Sequence, residues 1–401
     1  VIVAIVLMGA FGPSDGLFAK ALHFVFFAFG PSTAGTIYAF GYTLLTGVLL
    51  NFVFGVFATR VMIRGAASIK ALRNPWLYGA VKPGKEVKEK KPIDFVGLRK
   101  RFLTISTCLM AAIILCAAVF GVRLDTEFTG GAMITLSYQG EISTSEVQKT
   151  ASTALENNGL TLQTGENVAT GEQTLKISMP GNETVTTDQV ENLLTSLNEQ
   201  YPDNAFAQLS LSNVSAAMGT KFLQKSLVAV VFSLLLILLY IGFRFKKIGG
   251  LTGGLMVLRG LLTGLMVVFG AFGVLRTPLD GNFIAAMLTI LGYSINDTVV
   301  VYDRIRENRA LMGKKTPFEE LVNHSVNQSA RRTIITTVTT VMALGVMCVV
   351  SKLYGLDSIF TFAFPLMMGM LSGVYTSLCV STSAWVLWND RKSKKAETKK
   401  A

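Results

Sequence analysis

Apolar runs of membrane-spanning length dominate this chain, and a single long polar block interrupts them. The runs are Tyr38–Ile63, Phe102–Val122, Phe222–Phe243, Gly250–Leu275, Asn282–Tyr302, Thr333–Val350 and Ile359–Trp388. A helix needs roughly 20 predominantly apolar residues to cross a bilayer, so the runs predict a polytopic α-helical membrane protein. A 51% hydrophobic and only 15% charged composition excludes an ordinary water-soluble domain. The net charge of +12 does not indicate a nucleic-acid partner. Its Lys and Arg cluster beside the apolar runs, where they set orientation in the bilayer. Cys108, Cys116, Cys348 and Cys379 all lie within apolar runs and form no spaced metal motif. With two His in the chain, neither a metal nor a cofactor site is expected.

The opening run Val1–Gly12 is too short to span and reads as the second half of a helix. Leu17–Phe29, between two Gly-Pro-Ser triplets, suits an interfacial or re-entrant helix. Tyr38–Ile63 spans and completes a segment 1–64. Residues 65–101 form a basic, Pro-containing linker, placed in the cytoplasm by its Lys and Arg excess. The span 102–122 leads into the polar block 123–220, whose twelve acids against three bases place it on the extracytoplasmic side. Five spans fill 221–390, and 391–401 is a basic cytoplasmic tail. Glu319 and Glu320 suggest a short amphipathic helix along the cytoplasmic face.

Within the polar block, Ala132–Tyr138, Thr161–Thr164, Thr174–Ser178 and Phe206–Leu211 read as strands. Thr144–Asn158, with Ser143 as cap, and Thr187–Gln200, capped by Thr186 or Thr187, read as helices. The order β-α-β-β-α-β is the ferredoxin-like, split βαβ pattern. No catalytic cluster accompanies it, so the domain reads as a binding or docking module of a protein that is not an enzyme.

The run Asn282–Tyr302 carries Asn296 and Asp297 inside it. A carboxylate there costs at least ~2.5 kcal/mol on insertion scales, and such residues normally mark a pathway for ions, protons or substrate. By helical rise, Asp297 lies ~25 Å from Asp280, and Arg332 ~30 Å from Lys352 at the same outer side, so the two match in depth within ~5 Å. Arg332 is therefore the candidate partner. Arg259, ~14 Å into its span from Gly250, is a candidate second counter-ion. Tyr293 shares a helix face with Asp297. Asp303 and Arg304 read as part of a membrane-edge charge cluster, with a transport role as the alternative.

Phe40–Leu49 matches Phe362–Leu371 in Phe, Leu, Gly and Leu at a constant offset of 322. Carriers are often built from such repeats, with the site between them.

The stretch Gly292-Tyr293-Ser294-Ile295-Asn296-Asp297-Thr298-Val299-Val300-Val301-Tyr302-Asp303-Arg304-Ile305-Arg306-Glu307-Asn308 resembles the signature of the SecF family. Glu127-Phe128-Thr129-Gly130-Gly131 resembles its Asp-Phe-Thr-Gly-Gly, and Arg332-Thr333-Ile334-Ile335-Thr336-Thr337 resembles the start of its fifth helix. Residues 1–64 resemble the last one and a half spans of SecD, with 13–36 as an insertion. The whole resembles the C-terminal part of a fused SecDF, in the RND superfamily.

The resemblance implies a multi-pass protein of the bacterial cytoplasmic membrane. It would be an accessory subunit of the Sec translocase that uses the proton or sodium gradient to promote preprotein export. It implies Asp297 and Arg332 as coupling residues. The implied partners are a SecYEG-type translocon, the SecD half, YajC- and YidC-type proteins, unfolded preproteins and the lipid bilayer. The sequence departs from the family at Glu127, where the acid is usually Asp, and at Leu258-Arg259, where His-Asp is usual. Two alternatives remain open: an RND-type exporter of small molecules or lipids, and a non-transporting scaffold of a translocon or insertase.

Overall fold

The computed structural model describes residues 1–30, 35–70, 73–74, 92–157, 159–166, 172–180, 185–313 and 315–398. The centre of the basic linker and the last residues of the tail lie outside the described residues.

The polar block folds as β1 (Gly131–Tyr138), α4 (Thr144–Ala154), β2 (Thr161–Glu166), β3 (Gln173–Pro180), α5 (Thr187–Gln200) and β4 (Ala207–Val214). All neighbours are antiparallel in the order β2-β3-β1-β4, the ferredoxin-like arrangement. Period two sets the sheet's inner face: Ala132, Ile134 and Leu136 are fully buried, opposite Met179, Ile177 and Leu175. Val190, Leu193 and Leu197 supply the helical side of this core at i, i+3, i+7 spacing. Thr186 and Gln189 close a capping box on α5. Ser143 stands at the N-cap position of α4 but makes no capping hydrogen bond. Its hydroxyl meets that of Ser145 at 3.2 Å instead, a correction to the expected cap.

The remaining helices have the length and apolarity to cross a membrane: α2 (Ile37–Ser68), α3 (Arg99–Phe120), α6 (Ala216–Arg244), α7 (Gly250–Leu275), α8 (Gly281–Met312), α9 (Phe318–Leu353) and α10 (Ser358–Lys392). A shorter apolar helix, α1 (Ile2–Phe11), packs against α2 and α6. Leu17–Ala21 and His23–Phe26 are short helices that do not cross. Leu17–Ala21 packs against α1, and the segment from His23 to Gly30 sits beside α6, where Lys225 Nζ donates to the Gly30 carbonyl at 3.1 Å and Phe24 and Phe26 meet Phe232 edge to face.

Glycine lets α7 approach two neighbours at once. A Cβ at Gly254 would stand 2.8 Å from the Leu238 side chain of α6, and one at Gly260 would overlap Ser381 of α10. Tyr302 knots the basic end of the bundle. It is fully buried, stacks on Trp385 at 4.7 Å, meets Phe245 at 5.6 Å and donates to the Gly253 carbonyl at 3.2 Å.

The short amphipathic helix expected at Glu319–Glu320 is corrected by the structure, which has one continuous helix from Phe318 to Leu353. No Gly or Pro interrupts 318–332, and Leu321, Val322, Ser325, Val326 and Ser329 continue the buried stripe. Pro317 is its N-cap residue.

Candidate functional site

Asp297 lies mid-helix in α8, half-buried, where the Thr337 hydroxyl of α9 faces its carboxylate. Arg332 lies five residues before Thr337 on α9, and its charge acts on Asp297 without the direct contact of an ion pair among the described residues. Tyr293 and Asn296 are exposed beside Asp297, and Arg332 is exposed on α9. Behind this face the helix is pinned by hydroxyls: Thr298 Oγ1 donates to the Ser294 carbonyl and meets Ser377 Oγ of α10, both at 2.9 Å. The pair thus occupies an outward-facing wall formed by α8 and α9, while the opposite face of α8 is packed into the bundle.

Arg259 does not join them. Its Nη2 donates to Thr107 Oγ1 of α3 at 2.9 Å, so α7 turns this cation away from Asp297. The expected second counter-ion is therefore corrected: helical depth matched, but the helix face did not.

Asp303 and Arg304 form a charge cluster at the end of the apolar part of α8. Asp303 pairs with Arg244 of α6 at 3.2 Å and with Arg306 at 2.9 Å. Arg304 pairs with Glu307 at 2.6 Å and donates to Gln328 of α9 at 2.6 Å. These contacts tie three helices together.

The Glu127–Gly131 motif is the joint between domain and bundle. Glu127 Oε2 accepts from the Gly281 backbone N–H at 2.8 Å, at the first residue of α8. Phe128 is buried and stacks on Phe222 of α6 at 5.4 Å. Thr129 Oγ1 donates to the Asp125 carbonyl at 3.1 Å. Gly130 has φ +82°, and a Cβ there would lie 2.5 Å from the Ala216 backbone nitrogen. The next residue, Gly131, begins β1. A backbone bridge between Leu124 and Leu279 extends the joint.

A charge cluster at this joint, with Asp125 and Asp280 buried, leaves little trace in the sequence. Lys176 Nζ of β3 lies 3.6 Å from Asp125 Oδ2 and 3.7 Å from Glu127 Oε1. Asp280 caps α8, with Oδ1 accepting from the Phe283 N–H at 3.1 Å and Oδ2 from Asn282 Nδ2 at 3.0 Å. Burial, reinforced by the charges of Glu127 and Asp125 against that of Lys176, pushes the Asp280 carboxyl up to about 7. For Lys176, burial works downward, but Asp125, Glu127 and Asp280 outweigh it and hold the ammonium above its ordinary value. The available signal was the Asp-x-Glu spacing at 125–127 and a lysine at 176 in an acidic domain. Among the described residues, no group of three or more His, Cys, Asp or Glu is placed to hold a metal ion.

The sequence of residues 193–391 matches the family described as protein export membrane protein SecD/SecF, C-terminal. The chain is 30% identical over 310 residues to the protein translocase subunit SecF of Alicyclobacillus acidocaldarius, covering 77% of this chain and 96% of that relative. It is 28% identical over 383 residues to the protein translocase subunit SecDF of Bacillus subtilis, covering 92% of this chain and 49% of that protein. The chain thus spans about half the length of this fused relative. Among solved structures, it resembles SecDF of Thermus thermophilus, a translocon-associated membrane protein, with TM-score 0.69 and 24% identity over 97% of this chain and 48% of the other. A second SecDF structure, in a super-membrane-facing form, gives TM-score 0.64 over all of this chain and 49% of the other.

Proposed function

The chain belongs to the SecD/SecF family of protein-export membrane proteins, and on that basis we propose that it is an accessory subunit of the Sec translocase. It uses the proton or sodium gradient to promote export of preproteins. The observation that carries the ion-driven part is Asp297, a carboxylate at mid-span that faces the Thr337 hydroxyl and feels the charge of Arg332. A mid-membrane acid whose charge is only partly balanced can gain and lose a cation as its exposure changes. Its outward position on α8 and α9 favours a second wall supplied by a SecD half. On this proposal the basic ends of the helices face the cytoplasm and the ferredoxin-like domain faces outward, in the cytoplasmic membrane of a bacterium. The partners would be a SecYEG-type translocon, with YajC- and YidC-type proteins as further neighbours.

The joint at Glu127–Gly131 supplies the mechanical part. It fixes β1 to the start of α6, while Glu127 grips the first residue of α8. A change at Asp297 that moved α8 along or about its axis would be felt at this joint, and the domain would move with it. The test is preprotein translocation into vesicles holding the chain, a SecD half and the translocon. An imposed gradient should raise the yield only when the chain is present; equal yields with and without it would remove the proposal.

A further inference from the structure

A cleft of about 600 Å³ opens between α3, α7 and α10, at the end of the bundle that carries the basic clusters. Its walls hold three cations, Lys100, Arg259 and Arg391, and apolar side chains that include Leu103, Met256 and Trp388. Among the described residues, none of these cations is paired with a carboxylate. Two acids at the same end, Glu319 and Asp390, are held by Arg99 at 2.6 and 3.2 Å. Arg259 is exposed on the outside of α7, and among the described residues its side chain donates to Thr107 alone. It lies ~14 Å along the helix from Gly250, deeper than the other two cations. A cation facing hydrocarbon at that depth is costly unless an anion or water reaches it. Arg391 and Lys100 stand at the helix ends, so the positive charge runs from the bundle's rim down into the cleft.

We infer that this cleft binds one anionic phospholipid, its phosphate held among Lys100, Arg259 and Arg391 and an acyl chain lying along Leu103, Met256 and Trp388. Charge complementarity selects an anion, and basic pockets between spanning helices suit lipid head groups. The apolar walls select a lipid over a free anion, because inorganic phosphate would leave them in contact with water.

The test uses the whole chain purified in a non-ionic detergent, with dioleoyl phosphatidylglycerol and dioleoyl phosphatidylcholine at equal concentration. Retained lipids are counted by native mass spectrometry. Phosphatidylglycerol should be retained preferentially, and Arg259→Gln should cut that preference about fivefold, the effect of one basic residue near the surface. Adding Lys100→Gln and Arg391→Gln should bring the two lipids to parity. Arg259→Lys keeps the charge and should keep most of the preference. Lys246→Gln with Lys247→Gln, a basic turn outside the cleft, should leave it unchanged. Inorganic phosphate in tenfold excess should not displace the lipid. Equal retention by the unaltered chain, an undiminished preference in the triple variant, or displacement by inorganic phosphate would each overturn the inference.

Discussion

Glu127 Oε2 accepts a hydrogen bond from the Gly281 N–H at 2.8 Å, joining the first turn of the ferredoxin-like domain to the first residue of the helix that carries Asp297. Sequence distance hides this link, since more than a hundred residues separate the two. Glu127→Ala leaves an amide at the start of α8 without its partner, at a cost of about 1–2 kcal/mol. Limited proteolysis of the domain and hydrogen exchange at Gly281 should both quicken. Glu127→Gln keeps an acceptor and should recover most of the protection.

The pH dependence of this joint follows from Asp280. An unfolded aspartate titrates near ~3.9, while here its carboxyl is pushed up to about 7. A carboxyl raised on folding holds its proton more tightly in the folded state. Its effect is therefore to make folding most favourable below the unfolded value and less so as pH rises towards 7. The melting temperature of the joint should fall across that window. Asp280→Asn retains a capping side chain and should flatten the slope between pH 4 and pH 7. Lys176, held above its ordinary value, contributes at all these pH values and loses its effect only in strong alkali.

Gly130 should be intolerant of a side chain for two separate reasons. Its φ of +82° disfavours L residues, and an added Cβ would meet the Ala216 backbone at 2.5 Å. Gly130→Ala should cost about 2 kcal/mol or more. The thermal melt in detergent should show it, with domain and bundle losing protection together.

Asp303 should matter much less. Its pairs with Arg244 and Arg306 lie on side chains that are more than a third exposed, and such pairs contribute roughly 0–1 kcal/mol. Asp303→Asn should leave the melting temperature within a few degrees and gradient-dependent translocation intact. A loss of gradient dependence in this variant would transfer a coupling role to the charge cluster.

The legibility of this chain in its sequence varied with the scale of the interaction. Strand alternation in Ala132–Tyr138 and helical spacing in Thr187–Gln200 are local signals, and the ferredoxin-like fold follows from their order. The carboxylate at 297 stands out because its surroundings are apolar. Which face of α7 bears Arg259 is a different matter. Depth follows from counting residues, but rotation about the axis is set by glycine contacts such as Gly254 against Leu238 and Gly260 against Ser381. The cluster of Asp125, Glu127, Lys176 and Asp280 leaves only a faint trace in the sequence because three separate segments build it. The uninterrupted α9 could have been read from the absence of Gly and Pro between Phe318 and Thr333.

Phe40 and Phe362, equivalent under the repeat offset, pack edge to face with ring centroids 5.8 Å apart. Phe40→Ala and Phe362→Ala should each remove this contact, which contributes about 0.5–1.5 kcal/mol beyond the burial of the rings. The double variant should lose less than their sum, as a coupled pair does.

The most direct test of the central claim is Asp297→Asn. The variant is measured with a SecD half and the translocon in vesicles, comparing translocation with and without an imposed proton or sodium gradient. Coupling through Asp297 predicts that the gradient-dependent gain disappears while gradient-independent translocation and the domain fold persist. A full gradient-dependent gain in Asp297→Asn would contradict it.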